Sequence, residues 1–301
     1  MMDNKYIEGL VSVVIPTYRR PDKLERAVES VLSQTYSDLE LLLVNDNVPG
    51  DEFTQSLIKR TERYKNDSRF HLLMQEKHIN GAVARNFAIK QAKGEYVAFL
   101  DDDDWWEPNK LEEQVKELSS LSEEWGGVSC KFTSYDANGN VLKKSKKYRD
   151  GYLYKDVLNM QSDVATGTLL LRHNYLDIAG YFDESLMRNQ DLQLISQFTF
   201  KYKLKEVDQY LHCVDVSDTM NRPVNEETVL KYRHAFYKSI KPILDTLSSE
   251  EYQNMNAIRD VELGYILLRS GNYRRGFYYI MSFFKSIKVM KMAINKFISM
   301  N

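Results

Sequence analysis

Over its first hundred residues the chain alternates short apolar runs with amphipathic stretches. "VSVVIP" (11–16) is β-branched, ends in proline, and reads as a buried strand. In "PDKLERAVESVLSQ" (21–34), Leu24, Ala27, Val28, Val31 and Leu32 recur at helical spacing, and Pro21 suits a first helical turn. The alternation continues through strand "LELLLVND" (39–46), helix "EFTQSLIKRTERY", strand "FHLLMQ" (70–75), helix "GAVARNFAIKQA" (81–92) and strand "EYVAFLD" (95–101). Strands and helices of these lengths in strict alternation predict βαβ units and a mostly parallel, doubly wound α/β sheet.

Beyond residue 125 the pattern loosens. "GGVSCKFTSYDANGNVLKKS" reads as two strands joined by a hairpin turn at "ANGN". "GTLLLRHNYLDIAGYFDES" reads as a strand and a short helix ending at Gly180, and "NQDLQLISQFTFKY" (189–202) as a helix with Asn189 as its cap. From about 225 the pattern is helical, broken at "SGNY" (270–273). The expected division is 1–222 for the α/β domain and 223–301 for a helical extension.

Open α/β sheets bind ligands beyond the carboxyl ends of their strands. Three strand ends deliver polar residues there: Pro16, Thr17, Tyr18 and Arg19 after the first, Asn45 and Asp46 after the second, and Asp101 to Asp104 after the fourth. Four adjacent aspartates after a buried strand repel one another unless something cationic neutralises them. The run "DDDDWWEPN" either holds a metal ion or forms a solvated turn in which Asp104 caps the next helix.

Composition excludes several classes. With 41 basic and 43 acidic residues among 301, the net charge is close to zero, and no nucleic-acid-binding fold is recognisable. No run of 18 apolar residues and no signal peptide is apparent, which places the chain in the cytoplasm as an expectation. Cys130 and Cys213 are far apart and read as buried structural thiols. GxGxxG and GxxxxGK[ST] are both missing, which argues against a dinucleotide-binding domain and a P-loop NTPase.

Five motifs remain in order: "VSVVIPTYRR", "LLLVNDN", "NGAVARNFAIKQAKGEYVAFLDDDDWWEPNKLEEQV", "GYFDES" and "NQDLQL". Together they closely resemble the family 2 inverting glycosyltransferases of the GT-A fold, over roughly residues 10 to 215. The resemblance implies an enzyme that moves a sugar from a nucleoside-diphosphate donor, expected to be UDP-linked, to a hydroxyl of a glycan or lipid-linked acceptor in bacterial cell-surface polysaccharide synthesis. It implies a divalent cofactor, Mn or Mg, held by Asp103, with Asp102 facing the ribose and Asp101 and Asp104 in support. Asp46 would accept from the nucleobase, Pro16, Thr17, Tyr18 and Arg19 would line the base and ribose pocket, and Asn80 and Arg85 would serve the donor. Read without the resemblance, Asp46 suits an Asx turn and Arg85 a salt bridge to a strand-end aspartate.

Asp191 stands where the family places its catalytic base, although Gln190 replaces the usual glutamate before it. Its position also suits a first-turn acid favoured by the helix dipole. His212, Asp215 and Asp218 are candidates for a further ligand near the metal and phosphates. After Glu262 the chain has no acidic residue, and Arg269, Arg274, Arg275, Lys285, Lys288, Lys291 and Lys296 are all basic. Laid on a helix, this tail suits either peripheral contact with the inner face of an anionic membrane or packing on the protein or a homo-oligomeric partner. Two rivals are a sugar-phosphate nucleotidyltransferase, for which "PTYRRPDK" lacks a glycine-rich loop, and a catalytically silent nucleotide-binding subunit of a glycan-assembly complex.

Overall fold

The computed structural model describes residues 5–20, 22–146, 148–217 and 225–285. Pro21, Asp218 and the basic tail from 286 onward lie outside the described residues. The chain divides into two compact units, Met1–Tyr154 with Ser162–Asp218, and Lys155–Gln161 with Thr219–Asn301.

The first unit is built on one curled mixed sheet. Strands β1 (Ile7–Thr17), β2 (Leu39–Asn45), β3 (Phe70–Met74) and β4 (Gly94–Phe99) alternate with helices α1 (Leu24–Leu32), α2 (Glu52–Thr61) and α3 (Gly81–Ile89). They pair in parallel in the order β3-β2-β1-β4. Every residue of β2 is buried, which is why its sequence is a continuous apolar run rather than an alternating one. Val11, Val13 and Ile15 of β1 pack with Leu24, Ala27, Val28 and Val31 of α1 in the main core, so the helix spacing read from the sequence is the spacing that is buried.

Beyond β4 the sheet becomes mixed. A two-residue strand β5 (Trp105–Trp106) precedes α4 (Lys110–Ser119), followed by β6 (Trp125–Tyr135), β7 (Val141–Lys144), α5 (Tyr154–Leu158), β8 (Leu170–Arg172), α6 (His173–Ala179), α7 (Gln190–Lys201) and β9 (Lys203–Asp215). The sheet continues β4-β8-β6-β9-β5, with β8 antiparallel to both β4 and β6, and β6 parallel to β9. The expected hairpin is present: β7 folds back on β6, and Asp136 Oδ1 accepts from the backbone N–H groups of Asn138 and Asn140 in the turn. Asn189 precedes α7 but does not cap it. Its backbone is left-handed (φ 62°), a conformation that asparagine tolerates, and its side chain makes no capping bond.

The second unit is helical. Helices α8 (Glu226–Ser239), α9 (Lys241–Leu244), α10 (Ser249–Arg269) and α11 (Tyr273–Ile280) lead into a short 3-10 turn, Met281–Lys285. Ser248 and Glu251 form a reciprocal capping box at the start of α10. Gly264 of α10 and Gly276 of α11 face each other so closely that a Cβ on either would sit within 3 Å of the other's carbonyl oxygen.

Candidate active site

The parallel strands end at one rim, and the acid run leaves β4 there. Asp102 and Asp104 are buried, Asp103 is half-buried and Asp101 is exposed. Thr17, at the end of β1, donates its hydroxyl to Asp102 Oδ2 at 2.8 Å. Arg20 Nη1 lies 2.7 Å from Asp103 Oδ2 and 3.4 Å from Asp102 Oδ1. Arg85, on α3, pairs with Asp101. Asp104 accepts from the Asp215 N–H at 2.9 Å and lies 3.3 Å from His212 Nε2. Arg26 donates to the Asp103 carbonyl at 2.7 Å and to Asp215 at 3.0 Å, and its guanidinium covers the Trp105 ring at 3.9 Å.

This crowding shifts the acids. Burial pushes the Asp102 carboxyl up to about 6, against the Thr17 hydrogen bond and the Arg20 charge. Burial, then repulsion from Asp104, pushes Asp103 up to about 7, and Arg20 offsets only part of it. Asp104 is also raised by burial, with His212 opposing. Asp215 goes the other way: against its own burial, hydrogen bonds from Ser217, Lys23 and Arg26 hold it well below the usual carboxylate range. Burial, more than mutual repulsion, therefore disfavours the charged forms of Asp102, Asp103 and Asp104.

A second cluster forms where β1 and β2 end side by side. The Asp46 N–H donates to the Thr17 carbonyl at 3.0 Å. The Asp46 side chain is 2% exposed; His78 Nδ1 lies 3.1 Å from its Oδ2 and 2.9 Å from its carbonyl, while Oδ1 has no hydrogen-bond partner. Tyr18 stacks on His78 with ring centres 3.9 Å apart and planes 11° from parallel. Arg19 adopts a left-handed backbone (φ 56°) and donates its N–H to Asn47 at 2.8 Å, which turns its guanidinium over the Tyr18 and Phe53 rings. Asn45 is structural, braced against Thr54 and Asn47. Pro16 lies within β1, opposite Val44.

The third cluster joins the starts of α3 and α7. Asn80 caps α3 by accepting from the Ala82 and Val83 N–H groups at 3.0 and 3.1 Å, and donates to the Glu184 carbonyl at 2.9 Å. Asn86 also holds this loop, bonding the Phe182 carbonyl and N–H. A Cβ on Gly81 would meet Arg85 Nη1 at 2.8 Å and Gln190 Oε1 at 3.5 Å, so the start of α7 stands beside Arg85. Asp191, next along, is exposed.

Residues 12–187 match the family described as Glycosyl transferase family 2. The chain belongs to that family.

The glycosyltransferase is 30% identical over 225 residues to the uncharacterized glycosyltransferase MJ1057 of Methanocaldococcus jannaschii, covering 67% of this chain and 73% of the relative. It is 42% identical over 106 residues to the Escherichia coli UDP-Glc:alpha-D-GlcNAc-diphosphoundecaprenol beta-1,3-glucosyltransferase WfgD, covering 35% of this chain and 40% of the relative. Among solved structures, Staphylococcus aureus TarS 1–349 in complex with UDP-GlcNAc superposes with a TM-score of 0.59 at 16% identity, covering 91% of each chain. The mannosyltransferase PcManGT of Pyrobaculum calidifontis, in complex with GDP-Man and Mn2+, gives 0.57 at 17% identity, covering 95% of this chain and 79% of that one. Both share the GT-A-like fold.

The structure brings Thr17, Asp102, Asp103 and Asp104 together at the rim of this glycosyltransferase, and sets Arg85 and Gln190 side by side. Among the described residues, no three histidine, cysteine or acidic side chains converge at metal-ligand spacing. Sequence reasoning missed Arg20, Lys23, Arg26 and His78. His78 sits in "EKHING" just ahead of the Asn80 cap, and that proximity to a helix start at the rim is the signal that could have found it.

Proposed function

We propose that this glycosyltransferase takes its sugar from a UDP-sugar and passes it, with inversion, to a hydroxyl of a glycan or lipid-linked acceptor in bacterial surface polysaccharide synthesis. The observation that carries the donor reading is the buried, unpartnered Asp46 Oδ1 at the strand rim. A buried carboxylate oxygen without a donor is costly, and the imide N–H of uracil would satisfy it. His78 holds the other oxygen and so fixes which lone pairs face the pocket. Thr17, Tyr18 and Arg19 lie at the neighbouring strand end, and the UDP-sugar named for WfgD and the UDP-GlcNAc bound to TarS support the choice of nucleotide.

A divalent cation, when bound, supplies positive charge against the diphosphate leaving group. The residues present suit it: Asp103, with Asp102 beside it, offers hard carboxylate oxygens whose charged form burial disfavours and a bound cation would stabilise. Magnesium-type sites are commonly completed by one or two carboxylates and the substrate's own phosphates, so three converging protein ligands are not required. Arg85 lies within the same rim and can turn from Asp101 to a phosphate. Asp191 takes the proton from the acceptor hydroxyl as that oxygen attacks the anomeric carbon. Its exposure at the start of α7 leaves it open to an acceptor arriving from solvent. In the helical unit, Tyr273, Phe277, Tyr278 and Phe284 are 71%, 63%, 64% and 66% exposed near Arg269, Arg274 and Arg275, which supports peripheral contact with an anionic membrane carrying a lipid-linked acceptor. No described helix is long and apolar enough to cross one.

The test is calorimetric titration of UDP with manganese or with chelator, on the natural protein, Asp46→Ala and Asp103→Ala. Metal-dependent binding is expected, with Asp46→Ala weakening it about tenfold or more and Asp103→Ala removing the metal dependence. UDP binding indifferent to metal and to both substitutions would exclude this site.

A further inference from the structure

We propose that Arg20 holds the cation's place in the unliganded protein, and that the ion enters only together with a nucleotide diphosphate that takes the guanidinium in exchange. This rests on the metal-dependent donor site proposed above. The same Arg20 nitrogen lies 2.7 Å from Asp103 Oδ2 and 3.4 Å from Asp102 Oδ1, bridging the two side chains that would hold the ion. A divalent ion and a guanidinium at those carboxylates repel each other, so the two compete for the acids.

The neighbouring cations have other commitments. Lys23 and Arg26 are held on Asp215, Arg26 also on the Asp103 carbonyl, and Arg85 on Asp101. The Arg20 side chain is 30% exposed while its acid partners are 6% and 13% exposed, so the arginine can leave by moving outward whereas the acids stay. An anion arriving at the site gives it a new partner. A diphosphate provides oxygens spaced for the planar guanidinium fork. The exchange couples the two ligands: nucleotide raises the affinity for the ion, and the ion raises the affinity for nucleotide by the same factor. An enzyme built this way does not load metal onto an empty donor site.

The experiment is manganese titration followed by the paramagnetic resonance of the free ion, with and without saturating UDP. It compares the natural protein, Arg20→Gln and the control Arg63→Gln, an exposed arginine held on Glu29 away from the site, with circular dichroism to verify folding. In the natural protein, UDP is expected to tighten manganese binding by about tenfold or more. Arg20→Gln should bind manganese about tenfold tighter without UDP, and the UDP effect should shrink to about threefold or less. Arg63→Gln should behave as the natural protein does. Arg20→Met gives the same reading if glutamine disturbs the fold. A coupling factor unchanged in Arg20→Gln overturns the exchange and leaves the metal site standing. An equal gain in Arg63→Gln also overturns it, because the effect would then be general charge rather than displacement. Absence of manganese binding in every protein, even with UDP, overturns both the exchange and the metal-dependent reading.

Discussion

Asp191 sits one residue into α7, exposed, beside a glutamine whose carbonyl oxygen lies close to the Arg85 guanidinium. Gln190 has no charge, so it neither neutralises Arg85 nor repels Asp191. The base proposed above is Asp191, the acid in the first turn of this helix. Changing Asp191 to Asn keeps shape and removes proton acceptance. Turnover measured as released UDP should fall about 10²- to 10⁴-fold while calorimetric donor affinity is retained. Retained turnover would reassign the base. At this scale the positions of the acid run and Asp46 were legible because carboxylates after apolar strands stand out, whereas Asp191 was singled out by the family resemblance. Arg20 had neither signal. It contacts acids 82 and 83 positions away, and nothing local marks the second of the two arginines in "TYRRPD" as a partner for them.

Elements place these residues, and α3 is held at both its cap and its face. Asn80 closes two orphan N–H groups of the first turn and also donates to the 180s loop that leads to α7. Replacing it with alanine should cost about 1–2 kcal/mol, from the lost cap and the lost tether together. The check is a lower urea midpoint with an unchanged slope. A midpoint within error of the natural protein would show that the loop does not depend on this bond. Strands β1, β2 and β4 were readable because burial on both faces makes them nearly continuous apolar runs, and β3, a partly buried edge strand, because its sequence FHLLM is still a short apolar run. β9 was harder. Its pairing with β6 shifts register between Val207 and Tyr210, so buried positions 204, 206 and 207 give way to exposed 208, 209 and 210, and then to buried 211, 212 and 213. A bulge of that kind erases the period of two on which strand reading depends. β5 is only two residues long and falls below any periodic signal.

For the whole molecule, the raised acids set a dependence of stability on pH. Asp103 at about 7 and Asp102 at about 6 lie above the ordinary value near 3.8, so the folded state binds more protons than the unfolded chain between those limits. Stability contributed by these groups is therefore lost as pH rises from about 4 to about 7, by on the order of a few kcal/mol. Lys110, lowered by burial to about 8, acts only above this window, and the depressed Asp215 only below it. Urea unfolding without divalent cations should show a midpoint that declines from pH 5 to 7.5, and Asp103→Asn should flatten the decline. A natural protein whose midpoint rises steadily through that range would mean the acids are better neutralised than their surroundings indicate. The division into an α/β unit and a helical unit falls at 218/219, with residues 155–161 joining the helices. The sequence placed its expected boundary at 222/223 and had no means of assigning that short internal segment, whose membership is decided by packing.

Trp105 lies under Arg26, the residue that also grips the backbone of Asp103. Of only three tryptophans in the chain, two directly follow the acid run. An indole beneath a guanidinium is sensitive to how far that charge stands from its ring, and this charge is tethered to the residue that would receive the ion. If the ion binds at Asp103 as proposed, intrinsic emission is expected to change as the site fills, which would let occupancy be followed in real time without a labelled sugar or a coupled assay.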